Sequence, residues 1–343
     1  RPRPAPRSSG TKPGIAAVRV PLAVNRRYIT LVLILRLVLS RIHSTPLFRS
    51  ACFQPIGHIL PSVRGTVAAA RRMDNARSTA ICEGMSFDTD VLIAGGGLNG
   101  TTLALALASA GFDVTIVDPL PKTSRAAGNF DGRGYALSIA SQRVLKALGL
   151  WGDLAADSQP ILDIKVTDGR VGEGPSPFVL EFDHAEIEEG PMGFMVQDRL
   201  LRPALLAALD DAGVTQLDNT RLTGESTDAA GVTATLDDGR SLRARLLVGC
   251  DGKRSQVAAR AGIKRTGWDY GQTALVCAIA HEKPHNGTAH QFFMPPGPLA
   301  ILPLTGNRSS IVWSERSARA AEIQAMDDAG YLSVLRPRFG DFL

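Results

Sequence analysis

Aromatic residues make up only 6% of this 343-residue chain, too few for the stacking platform of a single-strand nucleic-acid binder. Its four cysteines, Cys52, Cys82, Cys250 and Cys277, form no C-x-x-C pair. Neither a disulfide framework nor a metal centre is indicated, and a reducing compartment fits. Cys250 and Cys277 sit in apolar runs, where a thiol serves as a small hydrophobe. Long apolar runs are also missing. The run from Tyr28 to Leu35 is interrupted by Arg36 and Arg41, well short of the roughly 20 apolar residues of a spanning helix. Acidic residues are absent from positions 1–73, which hold thirteen Lys or Arg. The other 270 residues carry 25 cations against 33 acids. The pI near 9.2 therefore belongs to the N-terminal segment, and the body gives no support to a nucleic-acid partner.

Residues 1–84 show no persistent period and are expected to be disordered or not native to the fold. Three readings stay open: upstream sequence translated in error, a mitochondrial transit peptide (arginine-rich and acid-free), or a disordered tail. From Met85 the pattern changes. Asp90–Ala94 is a short apolar run ending in glycines, as expected of a buried parallel strand. Thr101–Ala110 predicts a helix closed by Gly111, and Val114–Asp118 a second β-branched strand. Further helices are expected over Leu137–Leu148 and over Arg199–Ala212, the latter with Asp198 as N-cap. Val232–Leu236 and Leu242–Val248 flank Asp238-Gly239, a hairpin signal. Ile161–Phe194 and Thr273–Ser314 lack helical periodicity and predict one smaller, mainly antiparallel sheet inserted in pieces.

The first βαβ unit carries Gly95-Gly96-Gly97-Leu98-Asn99-Gly100, a G-x-G-x-x-G turn between strand and helix. Gly95 permits the tight turn, Gly97 a close approach by a pyrophosphate, and Gly100 close packing of helix on strand. Asp118 ends the next strand 18 residues beyond Gly100, placed to accept a ribose hydroxyl. This constellation indicates a dinucleotide without separating FAD from NAD. Asp251-Gly252 closes the apolar run Leu246–Cys250, where an acid reaches ribityl or ribose hydroxyls. Arg133, in Asp131-Gly132-Arg133, can set a guanidinium against a pyrophosphate or a flavin edge. His281-Glu282-Lys283-Pro284-His285 matches H-E-x-x-H, but that zinc chemistry needs a helix. The string follows an extended run, and Pro284 opposes a helix interior.

From Met85 on, these motifs in this order resemble the flavin-dependent aromatic hydroxylases related to para-hydroxybenzoate hydroxylase. Trp268-Asp269-Tyr270-Gly271, His281–Asn286, and Phe293–Leu304 followed by Val312-Trp313 resemble the ubiquinone-biosynthesis branch, of the 2-polyprenyl-6-methoxyphenol hydroxylase type. The resemblance implies an α/β fold: a Rossmann-like FAD-binding domain (85–160 and 197–262) interleaved with a mainly antiparallel substrate sheet (161–196 and 263–343). It implies FAD, NADH or NADPH as co-substrate, O2, and hydroxylation of a prenylated phenol. It also implies a cofactor contact for Gln197. A cytoplasmic protein is expected, peripheral to the inner membrane or attached to a ubiquinone-biosynthesis complex, and mitochondrial if residues 1–84 are a transit peptide. No catalytic base is legible. Phe292, Phe293, Leu299 and Leu302 are candidate pocket contacts.

Two departures qualify the resemblance. Ala258 stands where the family carries an arginine, with Arg254 or Arg260 as candidate replacements. The family's second flavin motif, Gly-Asp-Ala-x-His, does not follow; Gly340-Asp341 leads only to Phe342-Leu343. The rest of the family fold is therefore expected beyond Leu343. The chain as given is expected to hold FAD weakly or not at all and to give at most uncoupled NAD(P)H oxidation. Two alternatives to the hydroxylase remain: another FAD-dependent oxidoreductase of the superfamily, or an inactive FAD-binding fragment.

Overall fold

A computed structural model describes residues 17–19, 86–126 and 132–339. The rest of the N-terminal extension and Asp131 lie outside the described residues. Residues Phe87–Leu343 cluster as part of one unit.

Thr89–Ala94 is the strand on which the nucleotide-binding part is built. Val91, Leu92, Ile93 and Ala94 are all buried, because parallel neighbours stand on both sides. The six-stranded sheet runs in the spatial order Leu222–Thr227, Val232–Leu236, Ser241–Gly249, Thr89–Ala94, Val114–Val117, Thr215–Leu217. The last four strands are mutually parallel; Val232–Leu236 joins them antiparallel to Ser241–Gly249, in the hairpin expected around Asp238-Gly239, and Leu222–Thr227 adds a further antiparallel strand at the edge. Helices Leu98–Ser109 and Asp198–Asp211 cover one face. Ala104, Leu105, Leu201, Leu205, Leu206 and Leu209 pack there with Val91, Ile93, Val114 and Ile116. Burying each such Leu or Ile contributes about 1.5–3 kcal/mol. On the other side Leu92, Ala94 and Val117 pack with Leu222, Val232, Ala234, Leu236 and Ala244.

The second sheet has seven strands and is the larger of the two, not the smaller one expected. Its order is Ala17–Arg19, Gly174–Asp183, Asp163–Arg170, Thr288–Met294, Gly297–Leu304, Arg308–Arg316, Gln272–Ala280. The pieces join through a parallel pairing of Thr288–Phe293 on Asp163–Asp168. Antiparallel pairs lie on either side of that seam. Ala17–Arg19 adds a parallel edge strand. Helices Ser317–Gln324 and Asp328–Leu335 pack on one face, with Ala320, Ile323 and Leu335 against Leu275, Phe292, Leu299, Ile301, Ile311 and Trp313.

Two local expectations need correction. Leu137 is not helical; it belongs to the strand Gly134–Ser138, and the helix spans Ile139–Ala147. Ser138 sets that boundary, its Oγ accepting the Ser141 N–H at 3.3 Å. Gly134–Ser138, Gly193–Gln197 and Gln159–Ile161 form a third, three-stranded sheet that the sequence reading did not foresee. Asp198 is not an N-cap. Gln197 holds that position, and Asp198 is the first helical residue.

His290 gives the second sheet a pH dependence. Burial, helped by the Lys165 charge, holds its imidazole down to about 4. Lys165 is its register partner across the parallel seam and pairs with Glu181 at 3.1 Å. The unfolded chain protonates His290 near its ordinary 6.5, so between about 6.5 and 4 the unfolded state binds more proton. Stability should therefore fall as the pH drops through that window, by at most about 3 kcal/mol. Urea midpoints measured from pH 7 to pH 4 should show a slope that His290→Gln flattens; an unchanged slope would remove His290 as its source.

Candidate functional site

Parallel pairing brings the carboxyl ends of Thr89–Ala94, Val114–Val117 and Ser241–Gly249 to one edge, where ligands of open α/β sheets bind. The Gly95 N–H donates to the Val117 carbonyl at 2.8 Å, and the Cys250 N–H to the Ala94 carbonyl at 2.7 Å. Gly95 has φ +105, and a Cβ there would strike the Cys250 carbonyl. At Gly100, one turn into the helix, a Cβ would strike the Gly95 carbonyl. Both positions admit only glycine.

Gly97 is different. It is the N-cap of Leu98–Ser109, in extended backbone (φ −74, ψ −176), with no side chain to cap the helix and no acid in the first turn. A Cβ at Gly97 would meet nothing within 4 Å. The N–H groups of the first turn, which have no intrahelical acceptor, are thereby offered to an anion.

Asp118 adjoins this turn. It is buried, at 8% exposure. Its Oδ2 accepts the Gly96 N–H at 2.6 Å and its Oδ1 the Leu120 N–H at 2.8 Å. Each carboxylate oxygen keeps a second lone pair for a ribose hydroxyl. Behind it lies Arg125, a residue the sequence reading missed, 4% exposed. Its Nη1 donates to the Gly96 carbonyl at 3.1 Å, its Nη2 to Asp218, and its Nε stands 3.9 Å from Asp118 Oδ1. Nothing local marks this arginine, because the decisive partner, Asp218, is 93 positions away.

Arg133 and Gln197 meet at the third sheet, where Gly134 pairs with Gln197. Gln197 is buried and its Oε1 accepts from Arg199 Nε at 2.7 Å. Arg133 Nη2 lies 3.3 Å from Asp198 Oδ2. Asp198, 4% exposed, also accepts from Tyr135 Oη at 2.6 Å and Arg202 Nη2 at 2.9 Å. Burial pushes the Asp198 carboxyl up, but hydrogen bonds from Arg202 and Tyr135 and the charges of Arg202 and Arg133 outweigh it, leaving it below its ordinary value.

Asp251 and Gly252 are exposed. Asp251 Oδ2 accepts the N–H groups of Gln256 at 2.7 Å and Val257 at 3.2 Å, at the start of helix Gln256–Arg260. Its carboxylate thus has a local structural role. Gly252 takes φ +86, which accounts for glycine there. Both candidate replacements are exposed, but Arg260 Nε already donates to Glu225 at 2.6 Å.

The four apolar pocket candidates divide. Phe292 and Leu299 are core residues under the two C-terminal helices, and Leu302 packs with Ile161, Met195 and Ala289. Phe293, 54% exposed, is the one that remains open. A depression of about 600 Å³ is lined by Trp268, Tyr270, Ala274 and Ser314 among others, and by none of the predicted cofactor residues. The H-E-x-x-H string lies in a loop: His281 Nε2 meets Ser309 Oγ at 3.0 Å and His285 Nε2 meets the Leu304 carbonyl at 2.8 Å. Asp163, Asp183 and His184 bring ligand-type atoms within 4.8 Å of one another, all half-buried; nothing further points to an ion there. Among the described residues no helix is long and apolar enough to cross a membrane.

Residues 88–328 match the family model described as FAD binding domain. The chain is 48% identical over 255 residues to "Ubiquinone hydroxylase UbiL" of Rhodospirillum rubrum, covering 74% of this chain and 58% of that protein. It is 33% identical to the "3-demethoxyubiquinol 3-hydroxylase" of Escherichia coli, covering 73% and 63%. The chain thus spans about three fifths of these relatives' length. Pseudomonas aeruginosa PqsL, solved in complex with 2-aminobenzoylacetate, superposes with a TM-score of 0.61 at 26% identity, covering 74% of this chain and 68% of that one.

Proposed function

Because the chain belongs to the FAD-binding-domain family that matches residues 88–328, we propose that the gene product is an FAD-dependent monooxygenase hydroxylating a prenylated phenol in ubiquinone biosynthesis, with NADH or NADPH and O2. The observation that carries this reading is the turn at Gly95–Gly100, where a helix N-terminus faces open space at Gly97 beside Asp118. The donor set fits FAD: main-chain N–H groups and Arg133 for the pyrophosphate, Asp118 for the adenosine ribose, and Gln197 and Asp251 for polyol hydroxyls. When bound, FAD supplies the electron transfer from the nicotinamide and the activation of O2. The chain's own residues bind and orient it. The names of the bacterial relatives support the substrate class, and Phe293 on the open side of the second sheet supplies an apolar contact for the ring. A prenyl tail partitions into lipid, which supports a peripheral position at a membrane, alone or within a ubiquinone-biosynthesis complex.

Incubating the gene product with FAD, NADPH or NADH and a prenylated phenol under ¹⁸O2 tests the reading. One labelled oxygen in the phenol supports it; NAD(P)H consumption with no labelled product rejects it.

A further inference from the structure

Asp198 is a buried carboxylate that the proposed function leaves without a task. It sits where the strand Gly193–Gln197 passes into the helix Asp198–Asp211. Tyr135 Oη and Arg202 Nη2 both donate to its Oδ1, while its Oδ2 lies 3.3 Å from Arg133 Nη2. Its main-chain N–H also donates to the Arg133 carbonyl, at 3.1 Å. Arg133 is thereby gripped at main chain and side chain by one residue, yet its side chain stays 57% exposed.

We propose that Asp198 is a positioning residue that aims the Arg133 guanidinium at the FAD pyrophosphate. This rests on the reading of Arg133 as a phosphate-binding arginine. An exposed arginine samples many rotamers and loses that freedom when it grips an anion. A salt link to a carboxylate that is itself fixed by Tyr135 and Arg202 removes much of that loss beforehand. Tyr135 enters through strand register: Tyr135 pairs with Val196 and Gly134 with Gln197, which turns Tyr135 and Arg133 to the same junction.

A double-mutant cycle on the full-length gene product tests this, with the FAD Kd read from quenching of flavin fluorescence and folding followed by circular dichroism. Asp198→Asn and Arg133→Gln should each raise the Kd roughly tenfold, and the double variant should be no weaker than Arg133→Gln alone. A carboxylate that served only the fold would show effects that add; additive losses overturn the proposal. An unchanged Kd in Arg133→Gln overturns the phosphate reading itself and the positioning role with it. Asp198→Asn leaves Arg202 without its counter-charge and can fail to fold. Tyr135→Phe then replaces it in the cycle, removing one bond to Asp198 and keeping the charge. It should weaken FAD binding in the native background and not in Arg133→Gln; equal weakening in both backgrounds overturns the proposal.

Discussion

Replacing Arg125 by methionine should lower stability by about 3 kcal/mol, a loss large enough to move a urea midpoint well beyond error. Arg125 is 4% exposed and its guanidinium stands between Asp118 and Asp218, bonded also to the Gly96 carbonyl. Methionine fills similar volume but leaves two carboxylates without their cation. Removing one partner of a buried ion pair costs about 3–5 kcal/mol, mostly through the charge left unpaired. Asp218 is 26% exposed, which sets the expectation at the lower end. The link to Asp118 is the weaker one, since the Nε facing it makes no hydrogen bond. Arg125→Lys should recover part of the loss. A midpoint unchanged in Arg125→Met would mean that the acids are solvated and the guanidinium is dispensable.

Gly97→Val should abolish FAD binding while leaving the fold intact, and Gly100→Val should do the opposite in order, losing the fold first. The distinction follows from what surrounds each α-carbon. At Gly97 the backbone is extended and no atom lies within 4 Å of a Cβ position, so valine strains nothing in the protein. Its branched carbons fill the space that a pyrophosphate must enter to reach the helix N-terminus. Losing two charge-assisted hydrogen bonds of about 1.5–3 kcal/mol each weakens binding by on the order of 100-fold or more. At Gly100 a Cβ meets the Gly95 carbonyl, so the helix must move off the strand before any ligand is involved. Circular dichroism and FAD titration of the two variants separate the effects. Full FAD affinity in folded Gly97→Val would contradict the assignment of the turn.

What was legible in the sequence was what local sterics dictate. Gly100 is fixed by the Gly95 carbonyl within one turn and Gly95 by its own φ of +105, and the strands around them by short β-branched runs. The hairpin at Asp238-Gly239 was legible for the same reason. Contacts between distant segments were not. Arg125 is defined by Asp218, Asp198 by Tyr135 and Arg133, and the join of the second sheet by pairing of Thr288–Phe293 with Asp163–Asp168. Leu137 fell in phase with Ala140 and Val144, so a five-residue strand looked like the first turn of a helix. Phe292 and Phe293 show another limit. Alternation says that neighbours face opposite sides, but with both residues apolar the sequence does not say which of them meets the helices.

A structure of the protein determined with FAD bound tests the central claim most directly. The expected result is a pyrophosphate against the N–H groups of Gly97, Leu98 and Asn99, with the Asp118 carboxylate on the adenosine ribose and Arg133 reaching the phosphates from Asp198. A nucleotide seated anywhere else, with the space beside Gly97 empty, would contradict it.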